Sequence, residues 1–192
     1  MNMNRLAIAV AVALAFISAS AFAAPKSFDI EPTLTTLRFE YTQLGFAGHM
    51  HLFDKLNGKI MVDCEAKTGS VEVTIDATSV NSGYPLIDEH IQDEDFFDST
   101  KYPTITFKAD SMKFDCDKPG RIEGNLTVKG VTKPASMTVT SFQTLRNLAL
   151  NKDLIGANAI AKFKRTDFNM GKYTPYISDE VTLLIGLEAT RE

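Results

Sequence analysis

The chain has 192 residues, with 20 basic and 24 acidic side chains, a net charge of −4 and two cysteines. That length suits one ordinary domain, with enough chain to bury a core or enclose a cavity. The acidic balance argues against nucleic acid and against an anionic membrane surface as partners.

Residues 1–23 read as an export signal. Arg5 supplies a positive start, Leu6 to Ile17 form a short apolar run, and Ala21-Phe22-Ala23 is a small-x-small cleavage site. Cleavage after Ala23 leaves residues 24–192 as the mature domain. The apolar run is too short to span a bilayer comfortably and no second stretch of about 18 apolar residues follows, so stable membrane insertion is not expected. Cys64 and Cys116 both lie beyond the cleavage site and meet an oxidising compartment.

From residue 37 onward the dominant pattern is period-two alternation, which marks strands with one dry face. In chain order the dry faces are Leu37, Phe39 and Tyr41; Ile60 and Val62; Val71, Val73 and Ile75. After an interruption come Ile105, Phe107 and Ala109; Ile122, Leu126 and Val128; Ala135, Met137 and Val139. Ala157, Ala159, Ala161 and Phe163, then Val181, Leu183, Ile185 and Leu187, complete about eight strands. The interruption runs from Asn81 to Tyr102, where Leu86, Ile87 and Ile91 stand at near-helical spacing before an acidic stretch and Phe96-Phe97. It predicts a short helix covering one end of the fold.

Turn signals fall at Leu56-Asn57-Gly58, Lys67-Thr68-Gly69, Lys118-Pro119-Gly120 and Lys129-Gly130. Short turns imply antiparallel neighbours. The class is all-β, as a closed barrel around a small or elongated apolar ligand or as a two-sheet sandwich with a filled core; alternation alone does not separate the two. If the strands near 70–77 and 104–114 pair antiparallel, Cys64 and Cys116 fall on one rim. A disulfide there would close a loop of about 50 residues and stabilise by roughly 3–4 kcal/mol.

Catalytic motifs are missing: the sequence has no G-x-S-x-G, H-E-x-x-H, Walker loop or G-x-G-x-x-G, and no enzyme activity or cofactor is expected. His49-Met50-His51 would point two imidazoles the same way along a strand, with His90 as a conceivable third ligand; surface residues are the simpler reading and no metal is assigned. The acidic run Asp88, Glu89, Asp93, Glu94, Asp95 and Asp98 lacks the spacing of a calcium loop and reads as a solvated helix face. The 13 phenylalanines, with no tryptophan, carry more information. Phe39, Phe107 and Phe163 lie on dry strand faces, while Phe46, Phe96, Phe97 and Phe168 come from irregular segments that could close a cavity; filling a core is the equal alternative.

Several segments in order resemble the YceI-like family of periplasmic proteins: Ile75–Val80, Asp88–Ile91, Asp95-Phe96-Phe97-Asp98, Lys101–Lys108, the hairpin Gly124–Pro134, Arg165–Gly171 and Ser178–Val181. The resemblance implies periplasmic localisation and an eight-stranded antiparallel lipocalin-like barrel with a short helical cap. It also implies binding of a long amphiphile, typically a polyisoprenoid, in an apolar tunnel without catalysis. Three departures stand out. Ile87 replaces the family's usual arginine, Thr42-Gln43-Leu44-Gly45 keeps only part of a Lys-His-Leu-Gly segment, and Asn169 stands where glycine is common. They remove a cation and a histidine, so an isoprenoid quinone or fatty amide stands beside a pyrophosphate-bearing lipid as candidate ligand.

The expected tunnel lining is Phe39, Phe107, Leu126, Met137 and Phe163, with Phe46, Phe97 and Phe168 toward its ends. Asp88, His90 and Arg165 are candidates for polar contacts at a mouth, or for pinning the cap by pairing with each other or with loop backbone. Strand edges and rim loops could support a homodimer, although nothing in the sequence specifies one.

Overall fold

The computed structural model describes residues 25–118, 120–148 and 151–191. The predicted export signal lies outside these residues. In chain order the elements are β1 (Lys26–Ile30), β2 (Thr36–Gln43), β3 (Ala47–Phe53), β4 (Leu56–Asp63), β5 (Thr68–Asp76), β6 (Val80–Asn81) and α1 (Pro85–Gln92). Then follow β7 (Thr104–Lys113), β8 (Arg121–Val128), β9 (Val131–Asn147), β10 (Lys152–Lys164) and β11 (Glu180–Arg191). Single 3₁₀ turns occupy Ala77–Ser79 and Arg165–Phe168.

These strands form a closed eight-stranded antiparallel barrel, because three of its strand positions are each built from two short strands laid end to end. β11 pairs with β2 from Thr182↔Glu40 to Gly186↔Thr36, then with β1 from Ala189↔Ile30 to Arg191↔Phe28. β3 and β4 run back along β2 and β1, and β6 and β5 along β3 and β4. From β7 onward each position is one continuous strand. Closure through β1 and β2 against β11 leaves a barrel rather than a sandwich.

The breaks in neighbouring positions are stitched to each other. Asp54 N–H donates to Ser79 O at 3.0 Å and Asp76 N–H to Lys55 O at 3.0 Å. The buried Ser79 hydroxyl accepts from Lys55 N–H at 3.0 Å and donates to Asp76 O at 2.7 Å. Asp76 in turn caps the 3₁₀ turn by accepting from Thr78 N–H at 2.9 Å. The segment Ile75–Val80 therefore turns the chain while leaving few backbone groups unpaired.

Turn chemistry sets two hairpins. Lys129 (φ 49) and Gly130 (φ 72) make the two-residue loop between Val128 and Val131, both in the left-handed region a type I′ turn requires. Leu44 (φ 54) and Gly45 (φ 76) begin the three-residue loop joining Gln43 to Ala47. Asn57-Gly58, in contrast, lies inside β4. A Cβ at Gly58 would collide with Glu72 O and come within 2.8 Å of Ile30 Cδ1, so glycine is there for close approach and not for a bend. Thr68-Gly69 likewise opens β5, and the chain turns before it.

The barrel interior divides along its axis. At one end Phe28, Val62, Met112, Phe114, Ile155 and Ala189 are buried in a filled core, with Phe114 packed edge-on against Phe142 at 4.8 Å. Each such large apolar side chain contributes roughly 1.5–3 kcal/mol. The Cys64–Cys116 disulfide sits at this end, where β5 and β7 run antiparallel from Thr68↔Lys113. At the other end β6 pairs only with β3 among the described strands, and β7 does not extend to it. The segment from α1 to Pro103 occupies that side of the opening, as the sequence predicts.

Candidate ligand-binding site

The capped end encloses a cavity of about 950 Å³, toward the upper end of the roughly 300–1,000 Å³ usual for small-molecule sites. Its deep wall is apolar: Leu37 and Phe39 from β2, Phe53 from β3, Ile75, Ile105, Leu126 and Val128 from β5, β7 and β8, and Phe163, Val181 and Leu183 from β10 and β11. Phe97 reaches in from the cap and packs on both Phe39 (5.9 Å) and Phe53 (5.5 Å), which lie 5.3 Å apart. That aromatic triplet ties the cap to the wall.

Nearer the opening the lining changes character. Tyr41 on β2 and His49 and His51 on β3 succeed Phe39 and Phe53 along the same inward faces. The Tyr41 hydroxyl and His51 Nε2 share a hydrogen bond of 2.9 Å, and the Tyr41 ring stacks on His49 at 5.4 Å. His51 is only 4 % exposed and its Nδ1 has no hydrogen-bond partner. Burial pulls the His51 pKa below its ordinary value, His49 adds to the effect and Asp88 opposes it. Burial raises the Tyr41 pKa, with Arg165 acting the other way.

Arg165 is buried and lines the cavity, yet its donors are all directed elsewhere. Nε donates to Ser178 O (2.8 Å), Nη1 to Met170 O (2.6 Å) and Lys172 O (3.2 Å), and Nη2 to Ile177 O (2.9 Å) and Thr174 Oγ1 (3.3 Å). This accounts for every N–H of the guanidinium. Its carbon lies 5.9 Å from the Phe96 ring centre, so it presents charge but no spare donor to the cavity. Burial lowers the Arg165 pKa, countered by Asp179 and Tyr41.

The predicted site residues separate into two groups. Phe39, Phe97, Leu126, Phe163, His90 and Arg165 come together around the cavity. The others lie elsewhere: Phe46 is 80 % exposed at the β2–β3 hairpin, Phe107 and Met137 pack in or against the core, and Phe168 is buried behind Phe163, edge-on at 5.7 Å. Asp88 accepts from Ser82 N–H at 2.6 Å, so Asp88 and Arg165 each hold loop backbone rather than one another. His90, half exposed, meets Asp93 Oδ2 at 3.4 Å and packs edge-on against Phe96 at 5.1 Å. The sequence reading missed Tyr41, Phe53, Tyr84, Tyr173 and Tyr176 as lining residues. Tyr41 and Phe53 carried a usable signal, two-residue spacing from Phe39 and His51.

The sequence model of the YceI-like domain matches residues 28–189, nearly the whole described chain. The chain belongs to the YceI-like family. Protein YceI of Shigella flexneri is 32 % identical over 178 residues, covering 92 % of each chain. The YceI protein of Campylobacter jejuni superposes with a TM-score of 0.64 at 30 % identity, over 74 % of this chain and 84 % of that one. Burkholderia cenocepacia BcnA shares the fold with a TM-score of 0.66 at 24 % identity, over 84 % and 99 % of the two chains. A polyisoprenoid-binding domain from Saccharophagus degradans shares it at 0.63 and 18 % identity, over 87 % and 99 %. The YceI-like barrel thus accounts for all eight strand positions and the cap.

Proposed function

We propose that this chain is an exported, periplasmic binding protein that holds the tail of a long-chain amphiphile, such as a polyisoprenoid, an isoprenoid quinone or a fatty amide, and performs no catalysis. The observation that carries this reading is the cavity of about 950 Å³ walled at depth by aliphatic and aromatic side chains. A domain of the same fold described as polyisoprenoid-binding adds to it. Burial of an apolar chain yields about 0.8 kcal/mol per methylene, so a tail of ten or more carbons supplies most of a micromolar affinity after association costs. The deep wall meets that need without strong polar contacts.

The alternative is a stress-related periplasmic interaction protein with a filled core and no ligand, which the packing at the disulfide end favours and the cavity at the other end does not. Native mass spectrometry of the protein purified under mild conditions from the compartment to which it is exported tests the proposal. A co-purifying lipid, displaced by added long-chain polyprenol with a rise in melting temperature, is the expected result. Absence of any bound lipid, together with no thermal response to long-chain amphiphiles, would remove it.

A further inference from the structure

Single exposed apolar side chains are ordinary on a protein surface, but several converging on one opening mark a contact surface. Three segments border the cavity mouth: the β2–β3 hairpin, whose flanks Gln43 and Gly48 line it; the start of α1, with Tyr84 and Ile87; and the 171–177 loop, with Tyr173 and Tyr176. Each also presents large apolar side chains to solvent, Leu44 and Phe46 from the hairpin, Tyr84 and Leu86 from α1, and Tyr173 and Tyr176 from the loop. The three tyrosines do both, so the exposed surface continues into the cavity wall. The segments are also held to one another. Leu44 N–H donates to Tyr176 O at 2.6 Å and Ser178 N–H to Thr42 O at 2.8 Å, while Tyr173 stacks on Phe96 of the cap at 6.1 Å.

We infer that this rim is a docking surface for the neutral, zwitterionic face of a lipid bilayer, against which the protein sits with its cavity mouth on the head groups. This rests on the reading of the cavity as an amphiphile site and adds where the amphiphile is exchanged. A long tail leaves a bilayer through water only by wetting each methylene, whereas a mouth ringed by apolar side chains lets it pass from acyl chains to cavity without that exposure. Tyrosine suits the head-group layer, because its ring is apolar and its hydroxyl stays wet. Charge selects the kind of surface. Segments 43–51, 82–98 and 171–177 together carry six acidic side chains and one basic, Lys172, and that lysine is paired with Asp95. Arg165 behind them is buried, with its N–H groups on loop oxygens. Such a rim repels anionic lipid instead of attracting it. The contact is peripheral, since no described helix is long and apolar enough to cross a membrane.

The chain contains no tryptophan. Phe46→Trp therefore places a single reporter on the rim, and Leu145→Trp places one at an exposed site away from the cavity lining. With phosphatidylcholine vesicles, the mature Phe46→Trp chain should emit at shorter wavelength and be quenched by lipids brominated in their acyl chains; Leu145→Trp should do neither. In flotation with the same vesicles, Phe46→Ser/Leu86→Ser should lower partitioning by about tenfold or more, and Leu34→Ser/Leu145→Ser should leave it unchanged. Affinity for a long-chain polyprenol presented in detergent should match that of the native chain in the rim variant, since neither Phe46 nor Leu86 lines the cavity, while transfer of polyprenol from vesicles should slow. Failure of the native chain to float with phosphatidylcholine, flotation that requires an anionic lipid, or equal loss in both double variants overturns the inference. So does a native dimer that Phe46→Ser/Leu86→Ser converts to monomer, which would make the rim a contact between two copies of this chain. Polyprenol binding in detergent by a chain that does not float removes the docking surface and leaves the proposed function standing; flotation with no polyprenol binding removes the proposed function and keeps the surface.

Discussion

The ring of Phe107 on β7 lies across Gly124 on β8: a Cβ at residue 124 would stand 2.6 Å from Phe107 Cζ and 2.6 Å from Lys108 O. Both contacts are closer than real atoms allow, so the bare glycine lets the ring settle beside the cavity rather than within it. Gly124→Ala is expected to destabilise the barrel by about 1–3 kcal/mol through overpacking, a drop of roughly 2–4 °C in melting temperature per kcal/mol for a chain of this size. Phe107→Leu should cost less in the Gly124→Ala background than in the native one, a coupling that a double-mutant cycle of urea midpoints measures. Additive costs would mean that the ring and the glycine are independent.

Arg165 is the sole side chain that bonds to Met170 O, Lys172 O, Thr174 Oγ1, Ile177 O and Ser178 O among the described contacts. Lysine offers three N–H donors where arginine offers five. Arg165→Lys must therefore leave at least two acceptors without this partner, and Arg165→Met leaves all five. We expect Arg165→Met to cost about 3 kcal/mol or more and to open the 171–177 loop to proteolysis, with Arg165→Lys between it and the native protein. Urea unfolding and limited digestion check both; a loss below about 1 kcal/mol would show that the loop is held by other means.

Particular residues show where sequence and structure part. The strands were legible because a barrel wall has one inner and one outer face, so alternation survives over most of the long strands from β7 to β11, slipping by one residue after Ala109 in β7 and after Val139 in β9. β3 escaped notice because Met50 and Leu52 put apolar side chains on its outer positions, with Met50 48 % exposed, and blur the alternation. β1 and β6 are five and two residues long, too short for a period to register. Gly58 misled in the opposite sense, since turn chemistry and close backbone approach select the same residue. In the site, Phe107 and Leu126 face each other across β7 and β8 in register, yet only Leu126 lines the cavity. Alternation tells in from out; it does not tell how far along the axis the filling stops. Asn169, where the resemblance leads one to expect glycine, is resolved by its φ of 56°, a left-handed cap that asparagine adopts more readily than other side chains.

The Cys64–Cys116 bridge spans 52 residues of sequence at the filled end of the barrel. On the chain-entropy model a loop of that size stabilises by about 4 kcal/mol, chiefly by restricting the unfolded chain. The Cys64→Ser/Cys116→Ser double variant is expected to lose about that much stability in urea unfolding. Affinity for a long-chain probe should change little, because neither cysteine lines the cavity. A matching loss of affinity in protein that remains folded would mean that the two ends of the barrel are coupled.

The stability of the fold should also depend on His51 through pH. Burial, reinforced by His49 and opposed by Asp88, holds the folded pKa below the 6.5 of a free imidazole. Tyr41, hydrogen-bonded at Nε2, completes its surroundings. As pH falls the unfolded chain takes up the proton first, so the contribution is complete above about 6.5 and is lost as pH drops through that value toward the folded pKa. Carboxylates with lowered values, such as Asp76 bonded to Thr78 and Asp115 bonded to Lys67, begin to act only near their unfolded value of 3.8. Urea midpoints of the native protein should therefore decline between about pH 6.5 and 4.5, and those of His51→Phe should decline less over the same interval. Parallel declines in the two proteins would remove His51 as the source.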